Sequence, residues 1–554
     1  MHYGRTIWDL TDFELDYYPV WLRTPLHTEP VLTPLYVEMF CGYMMLNWRK
    51  VSDYLKTPTT MGPIWKMYKG HGYMTLALPR EEEIPEREAA FKKKMAPVLR
   101  DPDKAARDNL KGMDDLVEPF LPLKPDEMDD GELLTHVYDM LDFQNKIIFE
   151  NWVGWNTFAP WVSGFQDLIR DVAGIGTTDV EYSHLLGGYP NRLQETNTIL
   201  GKLAQQAVKD GLDGLFLNNP PEEVIPAMEQ SEAGKNWLAQ FNDFMAVHGF
   251  RTLRHYEFCE PGWYEDPTLV FPVIGQYVEA GGGKDLENEH RLRVDEREAA
   301  ESALMSKVPP ERKDEANQLL KLARIANYWL ESAAWGCDMR RMAVGRRCFM
   351  ACGRRMAGDG VIENPEDVWM LFPDEIIAAL ANHEKGRYIS LVQDRRKEWE
   401  YYVSLTKNMD EVPPFIGDPE QIMVMLSKDM ALGPTITRPP LEDPDEVGAL
   451  LTGSAGAPGV VEGTVRLVMD EKGFNTVKPG EIMVCPMTSA TWTPLFGIIS
   501  GLITDSGGEL SHPVNVSREY GIPAVCGTTF GTQKLKTGDR VKIDANKMRV
   551  YKLD

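Results

Sequence analysis

The stretch TDSGGELSHPVNVSREYGIPAVCG, Thr504 to Gly527, decides how the rest of the chain is read. The apolar run GIISGLIT that leads into it, Gly497 to Thr504, has the composition of a β-strand, and Gly507-Gly508 breaks the strand with backbone freedom that only glycine has. Pro513 suits the first turn of a helix, where its missing N–H is no loss, which puts Ser511 or His512 at the cap. The segment PVNVSREYG then runs about two turns and stops at Gly521. A helix N-terminus beside glycine amides is an anion site. The same positive end disfavours imidazolium, so His512 should stay neutral and nucleophilic near neutral pH. A neutral histidine next to a phosphate cradle suggests a covalent phosphohistidine. For a lone Gly-Gly-x-x-x-His, a capping histidine with no chemistry is the simpler reading.

The full string goes further. TDSGG, SH and REYGIPAV, at these spacings, resemble the phosphohistidine signature of the mobile domain shared by phosphoenolpyruvate-utilising enzymes and related dikinases. GAPGVVEG (Gly456 to Gly463), KPGEIMVCPMTSATWTPLF (Lys478 to Phe496) and TGDRVKIDA (Thr537 to Ala545) resemble the same domain. Val514 and Asn515 depart from the small or aliphatic residues usual there. Leu510 replaces a common threonine and so lacks the hydroxyl that some relatives use as a regulatory phosphorylation site. The resemblance implies that His512 carries the phosphoryl group and that Gly507, Gly508 and Ser511 hold its oxygens.

At 554 residues the chain is too long for one ordinary core, so two or three domains are expected. Its 43% hydrophobic and 26% charged residues are those of a soluble globular protein. A net charge of −25 argues against nucleic-acid and anionic-membrane partners. No apolar run approaches the ~20 residues that span a bilayer, and the N-terminus MHYGRTIWDLTDFELDYY has neither the basic start nor the apolar core of a signal peptide. Seven scattered cysteines read as reduced thiols. Cys348 and Cys352 are four apart on a helical pattern, without the partners of a zinc site, so no metal site is expected. The expected location is cytoplasmic.

Along the chain, the first 75 or so residues are rich in Trp, Tyr, Met and Pro, and the proline density of YYPVWLRTPLHTEPVLTPLYVEMF, Tyr17 to Phe40, implies extended segments and turns rather than a long helix. From Glu81 the pattern is helical, through Gly131 to Leu141 and the following FQNKIIFENWVGW, and again over Asn191 to Lys209 and Ala233 to Val247. The glycines of 174–188 and 281–283 lack the spacing of a nucleotide loop. HGFRTLRHYEFCEPGWYEDP, His248 to Pro267, is a polar and aromatic loop of the kind that carries function. A charged amphipathic stretch (Asp285 to Leu322) precedes a long helix, Asn327 to Met356, bearing Arg340, Arg341, Arg346, Arg347, Arg354 and Arg355. Helices near Pro373 and over Tyr388 to Asn408 follow. The proline-rich, acidic Gly433 to Gly448 reads as a semi-rigid linker. The expected fold is therefore multi-domain: a mainly α-helical acceptor-binding body (1–432), a linker (433–449) and a C-terminal swivelling α/β phosphohistidine domain of β/β/α type (450–554).

The body resembles the substrate-binding domain of rifampin phosphotransferases, through HGFR with PGWYEDP and through GRRMAGDGVIENPEDVWML, Gly353 to Leu371. Where that family reads Gly-x-Arg, Glu-x-Asp and Pro-x-Trp, Arg251 and Trp263 match, His255 stands at the Glu position and Glu257 at the Asp position. No Walker-type loop or ATP-grasp stretch is recognisable, and no barrel follows the histidine domain. The expectation is that a separate ATP-grasp subunit, with its ATP and Mg2+, loads His512, and that phosphoenolpyruvate is not the donor. A body of this type beside such a domain resembles the catalytic subunit of phenylphosphate synthase and related alkylphenol-phosphorylating enzymes, which implies a phenolic acceptor. Arg251, Arg254, Arg340, Arg341 and Arg347 are the candidates for neutralising transition-state charge, with Trp263 on the acceptor. His255 and Glu257 are the candidate bases for the phenol proton. The alternatives are a rifamycin-type acceptor, a phosphoenolpyruvate-linked carrier and a non-catalytic adaptor.

Overall fold

The computed structural model describes residues 33–36, 43–57, 63–68, 71–76, 80–176, 179–189, 192–251, 258–259, 261–281, 286–405, 443–469, 471–508 and 511–553. They fall into two compact units. One draws on Met1–Thr157, Tyr256–Pro261 and Gly336–Met425, the other on Phe158–His255, Gly262–Trp335 and Leu426–Asp554.

In the first unit a hairpin of β1 (Pro63–Tyr68) and β2 (His71–Leu76) pairs Ile64 with Thr75 and Met67 with Gly72. The other elements among its described residues are helical. Helix Pro102–Val117 starts at Asp101, whose carboxylate accepts from the Lys104 amide at 3.1 Å. Its buried residues Ala106, Leu110, Met113 and Val117 recur at the spacing of one helical face. Helix Asp130–Ala173 is longer than the expected segments and contributes its N-terminal part here. Helices Arg341–Gly358, Pro373–Asn382 and Ile389–Leu405 complete the unit.

The second unit holds helices Arg192–Lys209, Glu232–His248, Phe271–Glu279, Leu286–Lys307 and Lys313–Ala334 together with the C-terminal sheet. The strands are β3 (Leu451–Thr452), β4 (Ser454–Ala455), β5 (Val460–Leu467), β6 (Ile482–Cys485), β7 (Gly501–Thr504), β8 (Ala524–Cys526), β9 (Arg540–Asp544) and β10 (Arg549–Leu553). Their order in the sheet is β3-β10-β9-β5-β6-β7-β8-β4. Strands β5 to β8 run parallel, with Val484 opposite Ile503 and Leu502 opposite Ala524, and the outer pairings are antiparallel. Strands β6, β7 and β8 are buried on both faces, which is why they read as apolar runs without alternation. Ile482, Val484, Ile503, Val525, Val541 and Ile543 form a core on one face. Met483, Cys485, Leu502, Ala524 and Cys526 point the other way, into a larger core that continues through Val514, Phe496 and Trp492 to Tyr277, Phe271, Phe241 and Trp237. Sheet and helices thus share one core.

Two expectations are corrected. Only Gly501–Thr504 of GIISGLIT is strand, because Pro494 sits in a 3-10 segment, Ala490–Gly497, that carries the chain up to it. The long helix Asn327 to Met356 is two helices joined by a π-helical turn, Trp335–Arg340; no proline marks the place, and a periodic pattern does not register one wide turn. The expected helix Tyr388 to Asn408 is present over Ile389–Leu405, and residues 406–408 lie outside the described residues. Most of the expected linker, up to residue 442, lies outside the described residues. No described helix is long and apolar enough to cross a membrane.

Candidate active site around His512

Strand β7 delivers the chain to Gly507, which has φ 141°, a region closed to L side chains. A Cβ there would stand 3.0 Å from Ser511 Oγ and 3.2 Å from Pro513 Cγ, so the turn needs glycine. Ser511 is extended and precedes the helix His512–Tyr520, which ends at Gly521 in the left-handed conformation. The Ser511 hydroxyl donates to the Gly508 carbonyl at 2.7 Å, closing the loop on itself. Asp505 anchors the loop from behind, accepting from the Thr532 amide at 2.8 Å and from its hydroxyl. Burial pushes the Asp505 carboxyl up to about 6 against these stabilising bonds.

His512, half-buried as the first residue of its helix, has a hydroxyl on each ring nitrogen. Thr488 Oγ1 lies 2.9 Å from Nδ1 and Thr493 Oγ1 lies 3.2 Å from Nε2. A neutral imidazole has one N–H and one lone pair, so one threonine accepts while the other donates. Phe496 meets the ring edge-on at 6.0 Å between centroids. Burial, and after it the positive charge of Arg251, push the His512 imidazole down to about 3, so the ring is neutral at physiological pH.

Arg251 comes from the helical layer and is 1% exposed. Its guanidinium lies 5.4 Å from the Trp263 ring, and the Trp263 amide donates to the Arg251 carbonyl at 2.8 Å. Burial lowers it to about 10, opposed by the nearby Tyr520 and Tyr277. The Tyr277 hydroxyl donates to the Pro494 carbonyl at 3.0 Å. Gly497 is glycine because a Cβ there would collide with Tyr277 Oη and stand 2.7 Å from its Cζ. Asn197 donates to the Thr493 carbonyl at 2.8 Å and to the Tyr520 hydroxyl. His248, at the end of helix Glu232–His248, shares a 2.9 Å bond between Nδ1 and Thr196 Oγ1 and stacks on Phe244 at 5.2 Å. Burial and then Arg251 push His248 down to about 4.

The helix that bears His512 docks on the helical layer through polar contacts as well. Asn515 donates to Glu331 at 3.0 Å, the Gly188 amide donates to Glu519 at 3.1 Å, and the Arg518 guanidinium lies 5.4 Å from the Tyr182 ring. Gln276 donates to the carbonyls of Phe474 and Val477 at 2.6 and 2.7 Å.

Of the candidates from the sequence, Arg251 acts on the His512 ring although 260 positions intervene in the chain, and Trp263 packs against Arg251. Arg254, His255 and Glu257 lie outside the described residues. Arg340, Arg341 and Arg347 belong to the other unit and are engaged within it. Arg340 pairs with Asp114 at 3.1 Å; Arg341, fully buried, donates to the Cys337 carbonyl at 2.6 Å and to Gln144 at 2.7 Å; Arg347 donates to the carbonyls of Leu121 and Leu123. Sequence reasoning missed Thr488, Thr493, Asn197, His248, Tyr277 and Tyr520. The threonine-rich TSATWT was a usable signal, whereas Tyr277 sits in an apolar helix that reads as plain core.

Residues 156–330 match the model of the rifampicin phosphotransferase fourth domain, and residues 477–548 match that of the PEP-utilising enzyme mobile domain. The chain is 26% identical over 392 residues to an uncharacterized phosphotransferase, YvkC, of Bacillus subtilis, covering 70% of this chain and 45% of that one. It is 28% identical over 305 residues to a rifampicin phosphotransferase of Streptomyces sviceus, 54% of this chain and 32% of that one. Over 135 residues it is 37% identical to a probable phosphoenolpyruvate synthase of Pyrococcus horikoshii, 24% of this chain and 16% of that one. The chain spans less than half the length of each of these relatives. The chain is thus similar to the rifampicin phosphotransferase fourth domain over one stretch, which holds Arg251, and to the PEP-utilising mobile domain over another, which holds His512, and the charge of Arg251 acts on the His512 ring.

Proposed function

We propose that His512 carries a phosphoryl group from ATP to the hydroxyl of a phenolic small molecule held by the helical layer. The observation that carries this reading is a neutral imidazole, positioned by Thr488 and Thr493, with the buried guanidinium of Arg251 acting on it from the helical layer. Phosphoryl transfer needs placement and charge neutralisation more than covalent help from the protein, and these are the two things this arrangement supplies. Thr488 makes the shorter bond and holds Nδ1, leaving Nε2 to carry the phosphoryl group once the Thr493 hydroxyl gives way. ATP and Mg2+ belong to a separate ATP-grasp module, a partner subunit in this proposal, which loads His512 with release of AMP and phosphate. The docked arrangement of sheet and helices is then the delivery end of the cycle.

A second reading keeps the chemistry and changes the acceptor to a rifamycin-type antibiotic. The match of residues 156–330 to the rifampicin phosphotransferase fourth domain favours it. One experiment addresses both. The chain, the ATP-grasp module and β-labelled ATP are incubated together, acid-labile phosphate on His512 is measured, and phenol or rifampicin is added. Label lost to phenol supports the first acceptor and label lost to rifampicin the second. A His512 that takes no label, with His512→Ala as control, sinks the carrier function.

A further inference from the structure

Asn197 lies on helix Arg192–Lys209, fully buried, and reaches the two segments that hold His512. Its amide donates to the carbonyl of Thr493, whose hydroxyl is 3.2 Å from His512 Nε2, and to the hydroxyl of Tyr520, the last residue of the helix that His512 begins. The Thr493 carbonyl can only accept, which fixes the end of the amide that faces it. Asn197 Oδ1 is buried and accepts no hydrogen bond from the described residues. The neighbouring Thr196, also fully buried, holds His248 Nδ1 at 2.9 Å, and His248 lies within the field of the same Arg251 that acts on His512. Two consecutive side chains therefore register the Arg251 and His248 side of the site against the histidine.

We infer that Asn197 is a positioning residue for the reactive histidine, its amide spanning the Thr493 carbonyl and the Tyr520 hydroxyl and so fixing His512 against Arg251 when the sheet is docked on the helices. The inference rests on the carrier reading of His512 only for its purpose; the geometry it concerns is testable without any donor module or acceptor.

The test uses the full chain, with potassium phosphoramidate as a small phosphoryl donor: its N–P bond breaks, ammonia leaves, and an N–P bond to His512 forms. Ring titration of His512 is followed by nitrogen NMR in wild type and in Asn197→Ala. Losing the two bonds should shift the docked population about tenfold, the usual scale for a buried hydrogen-bonded pair. The His512 midpoint then rises about one pH unit from its wild-type position, and phosphoramidate labels the ring about tenfold faster. Asn197→Asp, which keeps the shape but sets a carboxylate against the Thr493 carbonyl, should do the same with an unchanged far-ultraviolet spectrum. If Asn197→Ala does not fold, Tyr520→Phe removes one contact without a cavity and should give a smaller shift in the same direction. An unchanged midpoint and labelling rate in the folded variants would overturn the inference while leaving the carrier reading intact. Absence of label in wild type and variants alike counts against the carrier reading, and the titration still decides the role of Asn197.

Discussion

Acidification should weaken the fold around His512, and removing that one imidazole should abolish its share of the loss. The ring is held at about 3 against an ordinary 6.5, and the depression comes from burial first and Arg251 second. Below pH 6.5 the unfolded chain therefore binds a proton that the folded chain refuses. Stability falls as pH drops through that value and stops falling near 3. At pH 5 the unfolded ring's preference for the proton is a factor of about 30, which is ~2 kcal/mol. The full difference, reached near pH 3, is ~5 kcal/mol. His248, lowered to about 4, adds a similar ~2 kcal/mol at pH 5. The assay is urea unfolding at pH 7.5 and 5.0 for wild type and His512→Asn. Carboxylates that titrate in both proteins cancel in the difference of differences. Wild type should lose ~2 kcal/mol more than the variant between the two values. Equal losses would mean that the His512 ring is not held neutral by its surroundings, and the reasoning about its nucleophilicity would go with it.

Arg251→Met should slow delivery of the phosphoryl group by about a hundredfold or more, the usual cost of removing one charge-stabilising group. The His512 midpoint, read by NMR, should rise yet stay below 6.5, because burial is the larger cause of its depression; no change would place Arg251 away from the ring. Gly497→Ala should destabilise by about 1–3 kcal/mol in thermal unfolding, since the added Cβ meets the Tyr277 ring, and Tyr277→Phe should recover part of it. Thr488→Val should alter the tautomer balance of His512 and slow loading about tenfold, the scale of one hydrogen bond. An unaltered nitrogen spectrum would show that Thr488 does not choose the tautomer.

How much of this was legible follows from which interactions are local. The turn at Gly507, the helix from His512 and its stop at Gly521 could be read because each depends on a φ value, a missing N–H or a cap within a few residues. The apolar run that holds β7 is legible as a strand, but not which of its faces meets the helices, since strands buried on both sides carry no alternation. A helix dipole, readable from the sequence, favours a neutral His512. The larger cause proved to be burial, which depends on residues far away in the chain.

Local chemistry sets the frame: a glycine turn, a histidine at a helix start, and a helical layer carrying Arg251 and Trp263 in a recognisable pattern. What surrounds that histidine comes from long-range packing. Thr488 and Thr493 hold its ring, and Asn197 and Tyr277 tie down the Thr493–Pro494 segment, because packing the sheet onto the helices buries a shared apolar core. Buried polar groups must then find partners across that interface, and no periodicity along a chain encodes which ones they meet.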